Sequence, residues 1–154
     1  MKRQMTTDEY EAVLSFEEWL KETDPLIIHT ERSIFAPDNR YAGTIDIECE
    51  IDGEYWIIDI KSGSGIYDSY EGQLNAYKNA VGIKDARMGI LQVGYKYGRK
   101  KKWKFTEIED DMASFDAAYT FWKKACGKKQ PLQKDLPLEI KTKIRRKSDE
   151  SAKD

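Results

Sequence analysis

The dipeptide Asp52-Gly53 stands between the two strongest strand signals of the chain, Tyr41–Ile51 and Glu54–Lys61. Asp-Gly favours the two-residue turn whose left-handed backbone matches the twist of the flanking strands, so this stretch predicts a tight antiparallel hairpin. Ile51 then opposes Glu54, Cys49 opposes Trp56, Ile47 opposes Ile58 and Ile45 opposes Ile60. Directly opposed residues share a face of the sheet. One face is therefore Ile45, Ile47, Cys49, Trp56, Ile58 and Ile60, an apolar surface fit for a core. A slip of one residue would turn that whole set into solvent, which is why the pattern specifies the register. The other face sets Asp46 opposite Asp59 and Thr44 opposite Lys61. Opposed Cβ atoms lie about 4.5–5.5 Å apart, where like charges destabilise. Two such carboxylates must share a proton, find a cation or splay into water. Mg²⁺ suits the second solution, since it takes one or two carboxylates and keeps several waters. On the hairpin alone, a solvated strand face carrying ordinary charges, Glu48 and Glu50 among them, is an equal alternative.

Other segments follow from local signals. Thr6 with Glu9 makes a capping box for a helix over about Asp8–Glu22, with Tyr10, Val13, Leu14 and Leu20 at helical spacing and Pro25 beyond its end. Leu26–Phe35 reads as a strand followed by a Pro37-Asp38-Asn39 turn. Asp68–Ala80 reads as a helix stopped by Gly82, with Tyr70, Leu74 and Tyr77 on one stripe. Met88–Tyr95 and Lys102–Ile108 form a second antiparallel pair through Gly98. Asp110 caps a last helix that ends at Gly127, with Phe115, Tyr119 and Trp122 expected in the core. The order is helix, three strands, helix, two strands, helix: an α/β fold with a mixed β-sheet flanked by helices. One domain over 1–127 and a basic, mobile tail over 128–154 account for the whole length.

Composition removes several classes. No apolar run approaches the ~20 residues of a bilayer span, and acids at Asp8, Glu9 and Glu11 interrupt any secretion signal. No membrane is expected, and the reading is a cytoplasmic protein of a bacterium or a phage-infected cell. Two cysteines, Cys49 and Cys126, cannot build a four-thiolate zinc or iron–sulfur site. The net charge of −2 hides an acidic body, with 9 Lys/Arg against 18 Asp/Glu over residues 1–94, followed by a stretch of six bases and no acid at 95–104.

Three motifs occur in order along the chain: Gly43-Thr44-Ile45-Asp46, then Asp59-Ile60-Lys61-Ser62-Gly63, then Gln73-Leu74-Asn75-Ala76-Tyr77. Together they resemble the PD-(D/E)xK nuclease superfamily and, within it, the RecB-type exonuclease branch, which reads G-x-x-D, D-x-K and Q-x-x-x-Y. The resemblance implies a restriction-endonuclease-like core of αβββαββα order and a phosphodiesterase dependent on Mg²⁺ or Mn²⁺. It implies Asp46 and Asp59 as metal ligands with the Ile60 carbonyl, and Lys61 as the group that orients or deprotonates the attacking water. Glu31 matches an acidic residue that the family places before the hairpin, as catalytic residue and further metal ligand, and Gln73 and Tyr77 match the helix motif. His29, two residues before Glu31, is a candidate extra ligand. Relatives in this branch that carry an iron–sulfur cluster use four cysteines, so no such cluster is expected here.

Lys96, Arg99, Lys100, Lys101, Lys102 and Lys104 alternate with Tyr95, Tyr97 and Trp103. Charges that track phosphates, interleaved with rings that stack bases, suit single-stranded or frayed DNA ends; a solvated hairpin tip explains them equally. The expectation is an exonuclease acting on DNA, linear or single-stranded at its ends, in replication, recombination, repair or phage defence. A structure-dependent endonuclease or a non-cleaving nucleic-acid module are the alternatives. A homo-oligomer or a recombination or replication partner protein would supply the enclosing grip that so small a core lacks.

Overall fold

The computed structural model describes residues 4–63, 65–97 and 101–127. Its elements are α1 (Thr7–Thr23), β1 (Leu26–Phe35), β2 (Ala42–Ile51), β3 (Glu54–Lys61), α2 (Asp68–Val81), β4 (Arg87–Tyr97), β5 (Lys101–Ile108) and α3 (Met112–Cys126). Five strands form one mixed sheet in the order β1-β2-β3-β4-β5. Every neighbouring pair is antiparallel except β3–β4, which is parallel. A parallel pair needs a crossover, and α2 supplies it.

The turn forms as the dipeptide demands, with Asp52 at φ 54° and Gly53 at φ 81°. From it, β2 and β3 pair in the expected register, Ile51 with Glu54 through Ile47 with Ile58. Beyond that the expected face does not hold. Ile45 packs with Ile34, Ile57, Leu74 and Tyr77, whereas Ile47, Cys49, Trp56 and Ile58 pack with Trp19, Leu91 and Val93. The two isoleucines therefore belong to different cores, because regular pairing breaks at Asp46 between them. Both sides of the hairpin carry packed residues, one side against Trp19 of α1 and the other against Leu74 and Tyr77 of α2; on the charged side Glu48 and Asp59 are buried while Glu50 remains exposed.

α1 starts at the capping box: Thr6 Oγ1 accepts from Glu9 N at 3.2 Å, and the Glu9 carboxylate accepts from Thr6 N at 2.8 Å. Its buried residues are Ser15 and Trp19, while Tyr10 and Val13 are exposed. The inward stripe is small because the helix meets β4 closely at Gly94. There φ is 66°, a Cβ would lie 3.4 Å from that of Ala12, and Gly94 N–H donates to Ser15 Oγ at 2.7 Å. Large side chains at Tyr10 and Val13 cannot enter such a contact.

The cap of α3 is Asp111 rather than Asp110. Asp111 accepts from Ala113 N at 3.2 Å and from the Ser114 hydroxyl, whereas Asp110 pairs with Lys78 at 2.8 Å. Buried Asn75 decides this, taking Asp111 N–H at 2.8 Å and donating to the carbonyls of Glu109 and Glu71. No residue of α3 is fully buried. Phe115 and Tyr119 are half-buried, with Phe115 edge-on to Tyr41 at 4.8 Å between ring centroids, and Trp122 is exposed. The expectation that this stripe lies in the core is corrected: Phe115 packs beside Gly72 of α2, outboard of the sheet.

Backbone contacts group Met1–Phe121 and Trp122–Asp154 as two compact units. The tail expected at 128–154 lies outside the described residues. Both cysteines are free thiols, and among the described residues no helix is long and apolar enough to cross a membrane.

Candidate active site

The two central strands part where the opposed aspartates were expected. Backbone pairing runs to Ile47–Ile58, and the next contact is made by a side chain: Asp46 Oδ2 accepts Ile60 N–H at 2.7 Å. The carboxylate thus satisfies a strand donor that would otherwise be orphaned. Asp59 is only 3% exposed, and Lys61 Nζ lies 2.7 Å from its Oδ2. That ion pair departs from hydrogen-bond geometry, and Asp59 Oδ2 is buried without a hydrogen-bond partner. Burial pushes the Asp59 carboxyl above its ordinary pKa; Lys61 opposes the shift and the nearby charge of Asp46 adds to it. The site occupies the carboxyl end of β3, beside its parallel neighbour β4, where open α/β sheets leave a crevice for ligands.

Lys61 is held on its other side by α2. Its ammonium lies 4.5 Å from the centre of the Tyr70 ring. One turn further, Gln73 Nε2 donates to Tyr77 Oη at 2.6 Å. The Gln73 amide is therefore engaged with Tyr77, not with Lys61. Tyr77 accounts for the glycine of the first motif, because a Cβ on Gly43 would lie 2.5 Å from Tyr77 Cε1. The first and third motifs thus meet physically, ring against bare backbone, three residues before Asp46. Gln73 and Tyr77 also line an open groove of about 580 Å³ with Tyr41 and Phe115.

Glu31 and His29 sit less simply. β1 carries a register irregularity between Ile27 and His29, and Glu31 adopts φ 51°. The shift precedes His29, the left-handed backbone interrupts the extended strand at Glu31, and both residues are exposed. Among the described residues no group of three or more His, Cys, Asp or Glu side chains converges to hold a metal, so neither completes a three-ligand set with the aspartates.

Glu48, which the sequence offered as another surface acid, is fully buried. Arg32 Nη1 reaches its two oxygens at 3.0 and 3.1 Å, and Tyr55 Oη donates to it at 2.9 Å. Its place opposite Ile57 beneath α2 was the missed signal: a strand buried on both faces leaves no solvated side for a charge.

The basic stretch is only partly described. Lys96 lies on β4 and Lys101 and Lys102 on β5, with side chains outside the described part, and Arg99 and Lys100 fall outside the described residues. Trp103 is half-buried against the α1-side core, opposite Val93, so its ring contributes to packing. Lys104 is exposed.

The oxygens available at the site are hard donors. The carboxylates of Asp46 and Asp59 are the donors at the site, and carboxylate oxygens suit a divalent cation that retains part of its water. No protein-family model matches the sequence, and no curated protein matches it.

Proposed function

We propose that the protein is a divalent-metal-dependent DNA nuclease of the PD-(D/E)xK type, an exonuclease of the RecB-like branch, built on a restriction-endonuclease-like core. The observation that carries the reading is the meeting of Asp46, Asp59 and Lys61 at the frayed end of the central hairpin. The element order and the Gly43–Tyr77 contact that ties two of the motifs together support it.

Asp46, Asp59 and the Ile60 carbonyl would hold Mg²⁺ or Mn²⁺, which supplies a polarised phosphoryl oxygen and a more acidic water. Asp46 is fixed for this by its bond to Ile60 N–H. The buried Asp59 is held near Lys61, whose charge offsets the negative charge that builds on the phosphoryl group in the transition state. Gln73 and Tyr77, bonded to each other, line a separate groove with Tyr41 and Phe115 that would receive part of a bound strand. The basic stretch 96–104 adds sequence-independent attraction for phosphates.

Incubation with end-labelled linear DNA and closed circular DNA, with Mg²⁺ or with EDTA, tests the reading. Metal-dependent loss of linear DNA alone is the expected result, abolished by Asp59→Ala and by Lys61→Ala. Nicked circles would make the protein an endonuclease on the same core. A mobility shift without cleavage, or undiminished turnover by either variant, would overturn the proposal.

A further inference from the structure

We infer that Tyr70, which lies outside all three motifs, is the positioning residue for Lys61. Lys61 is the last residue of β3, a flexible side chain whose ion pair among the described residues is with Asp59 at 2.7 Å. A single off-axis ion pair does not fix an ammonium. The face of the Tyr70 ring, 4.5 Å from Nζ, supplies the second wall. A ring face attracts a cation through its quadrupole, and unlike a second carboxylate it leaves the positive charge of the ammonium unneutralised. Lys61 is therefore held between Asp59 and the Tyr70 ring with its charge available to a phosphate oxygen.

The ring is itself held on two sides, and its backbone is tied to the neighbouring turn. Tyr70 packs against the α2-side core. Tyr67 meets it edge-on at 5.3 Å, and Tyr70 N–H donates to the Tyr67 carbonyl at 2.8 Å. Tyr67 in turn lies 3.3 Å from where a Cβ on Gly65 would be. Gly63 is fastened to the sheet by Gln92, buried opposite Lys61 on β4, whose Nε2 donates to the Gly63 carbonyl at 2.9 Å. Lys61 is thus flanked by a strand tied down through Gln92 and Gly63, and by a ring seated on the core.

The inference rests on the nuclease reading for its catalytic consequence, and its contact stands apart from that reading. Tyr70→Phe and Tyr70→Trp keep an aromatic face; Tyr70→Leu keeps an apolar group of similar bulk and removes it. Circular dichroism and thermal melts establish that each is folded. In single-turnover cleavage of linear DNA with Mg²⁺, Tyr70→Leu should lower kcat about 10-fold with KM unchanged, while Phe or Trp restores most of the rate. Independently, the Lys61 ε-methylene protons, assigned by their loss in Lys61→Arg, should resonate upfield in the wild type and in Tyr70→Phe, and move downfield in Tyr70→Leu. Wild-type turnover by Tyr70→Leu, or equal loss in Tyr70→Phe, would overturn the positioning role. Identical Lys61 resonances in all three proteins would overturn the contact itself. Absence of cleavage by the wild type with the upfield resonance intact would sink the nuclease reading and leave the contact standing.

Discussion

Replacing Arg32 by Met should destabilise the protein far more than an exposed ion pair would suggest. Glu48 has no exposed side-chain surface, whereas the Arg32 side chain is 37% exposed. Its carboxylate has two partners, the guanidinium at 3.0–3.1 Å and the Tyr55 hydroxyl at 2.9 Å. Removing the guanidinium leaves a buried anion with one neutral hydrogen bond, and breaking a buried pair from one side costs about 3–5 kcal/mol. Water can reach the arginine end, which brings the cost just below that range, to about 2–3 kcal/mol. At roughly 4 °C per kcal/mol for a domain of this size, the melting temperature should fall by about 10 °C. Tyr55→Phe removes one hydrogen bond to a charged acceptor and should cost about 1.5 kcal/mol. Arg32→Met combined with Glu48→Leu removes both charges and should recover most of the loss. Urea denaturation of wild type, Arg32→Met, Glu48→Leu and the double variant gives the coupling directly. An Arg32→Met variant within 0.5 kcal/mol of wild type, or a double variant whose loss equals the sum of the singles, would refute the buried-anion argument.

Asp59→Asn should leave the metal-free fold at least as stable as wild type at pH 7 while abolishing cleavage. Burial raises the Asp59 pKa in the folded state, so this group favours folding most below its ordinary value and loses that contribution as pH rises through the folded pKa. The wild-type-minus-variant stability difference, followed by denaturation across acidic to neutral pH, should therefore move against the wild type as pH rises. The opposite slope would contradict a desolvated carboxyl. Gly43→Ala places a Cβ 2.5 Å from Tyr77 Cε1 and should cost about 1–3 kcal/mol, with Tyr77→Ala in the same chain relieving part of it; a neutral Gly43→Ala in a melting assay would remove the motif-to-motif contact. Changing Lys100, Lys101 and Lys102 to Ala should weaken DNA binding and flatten its salt dependence in fluorescence titrations, and an unchanged slope would take that stretch off the binding surface.

The parts of the fold written in local chemistry were legible. The Thr6–Glu9 box, the Asp52-Gly53 turn, Gly82 after α2 and the first five pairs of the hairpin needed no tertiary information. The pairing of Asp46 with Asp59 expected from the same register does not form: Asp46 accepts from Ile60 N–H, and Asp59 pairs with Lys61. What failed depended on packing across layers. The Tyr10–Val13 stripe has the right period for a helix face, but only small residues fit where α1 meets Gly94. Asp110 and Asp111 are equally good caps in sequence, and Asn75, far away in the chain, chooses between them. Glu48 reads as solvated on an alternating strand, because nothing in its neighbourhood announces that Arg32 will come to meet it from β1. Tyr70 gave no signal beyond its place on an apolar stripe.

The bond between Asp46 and the main chain of Ile60 gives one side chain two separate duties, closing the gap between neighbouring strands and offering negative charge. An amide at that position could still accept the strand's N–H, yet it would bring no charge, so architecture and ion affinity can be uncoupled by exchanging a single oxygen for nitrogen. The seam where the sheet opens is thereby stitched by the very group that makes the opening useful.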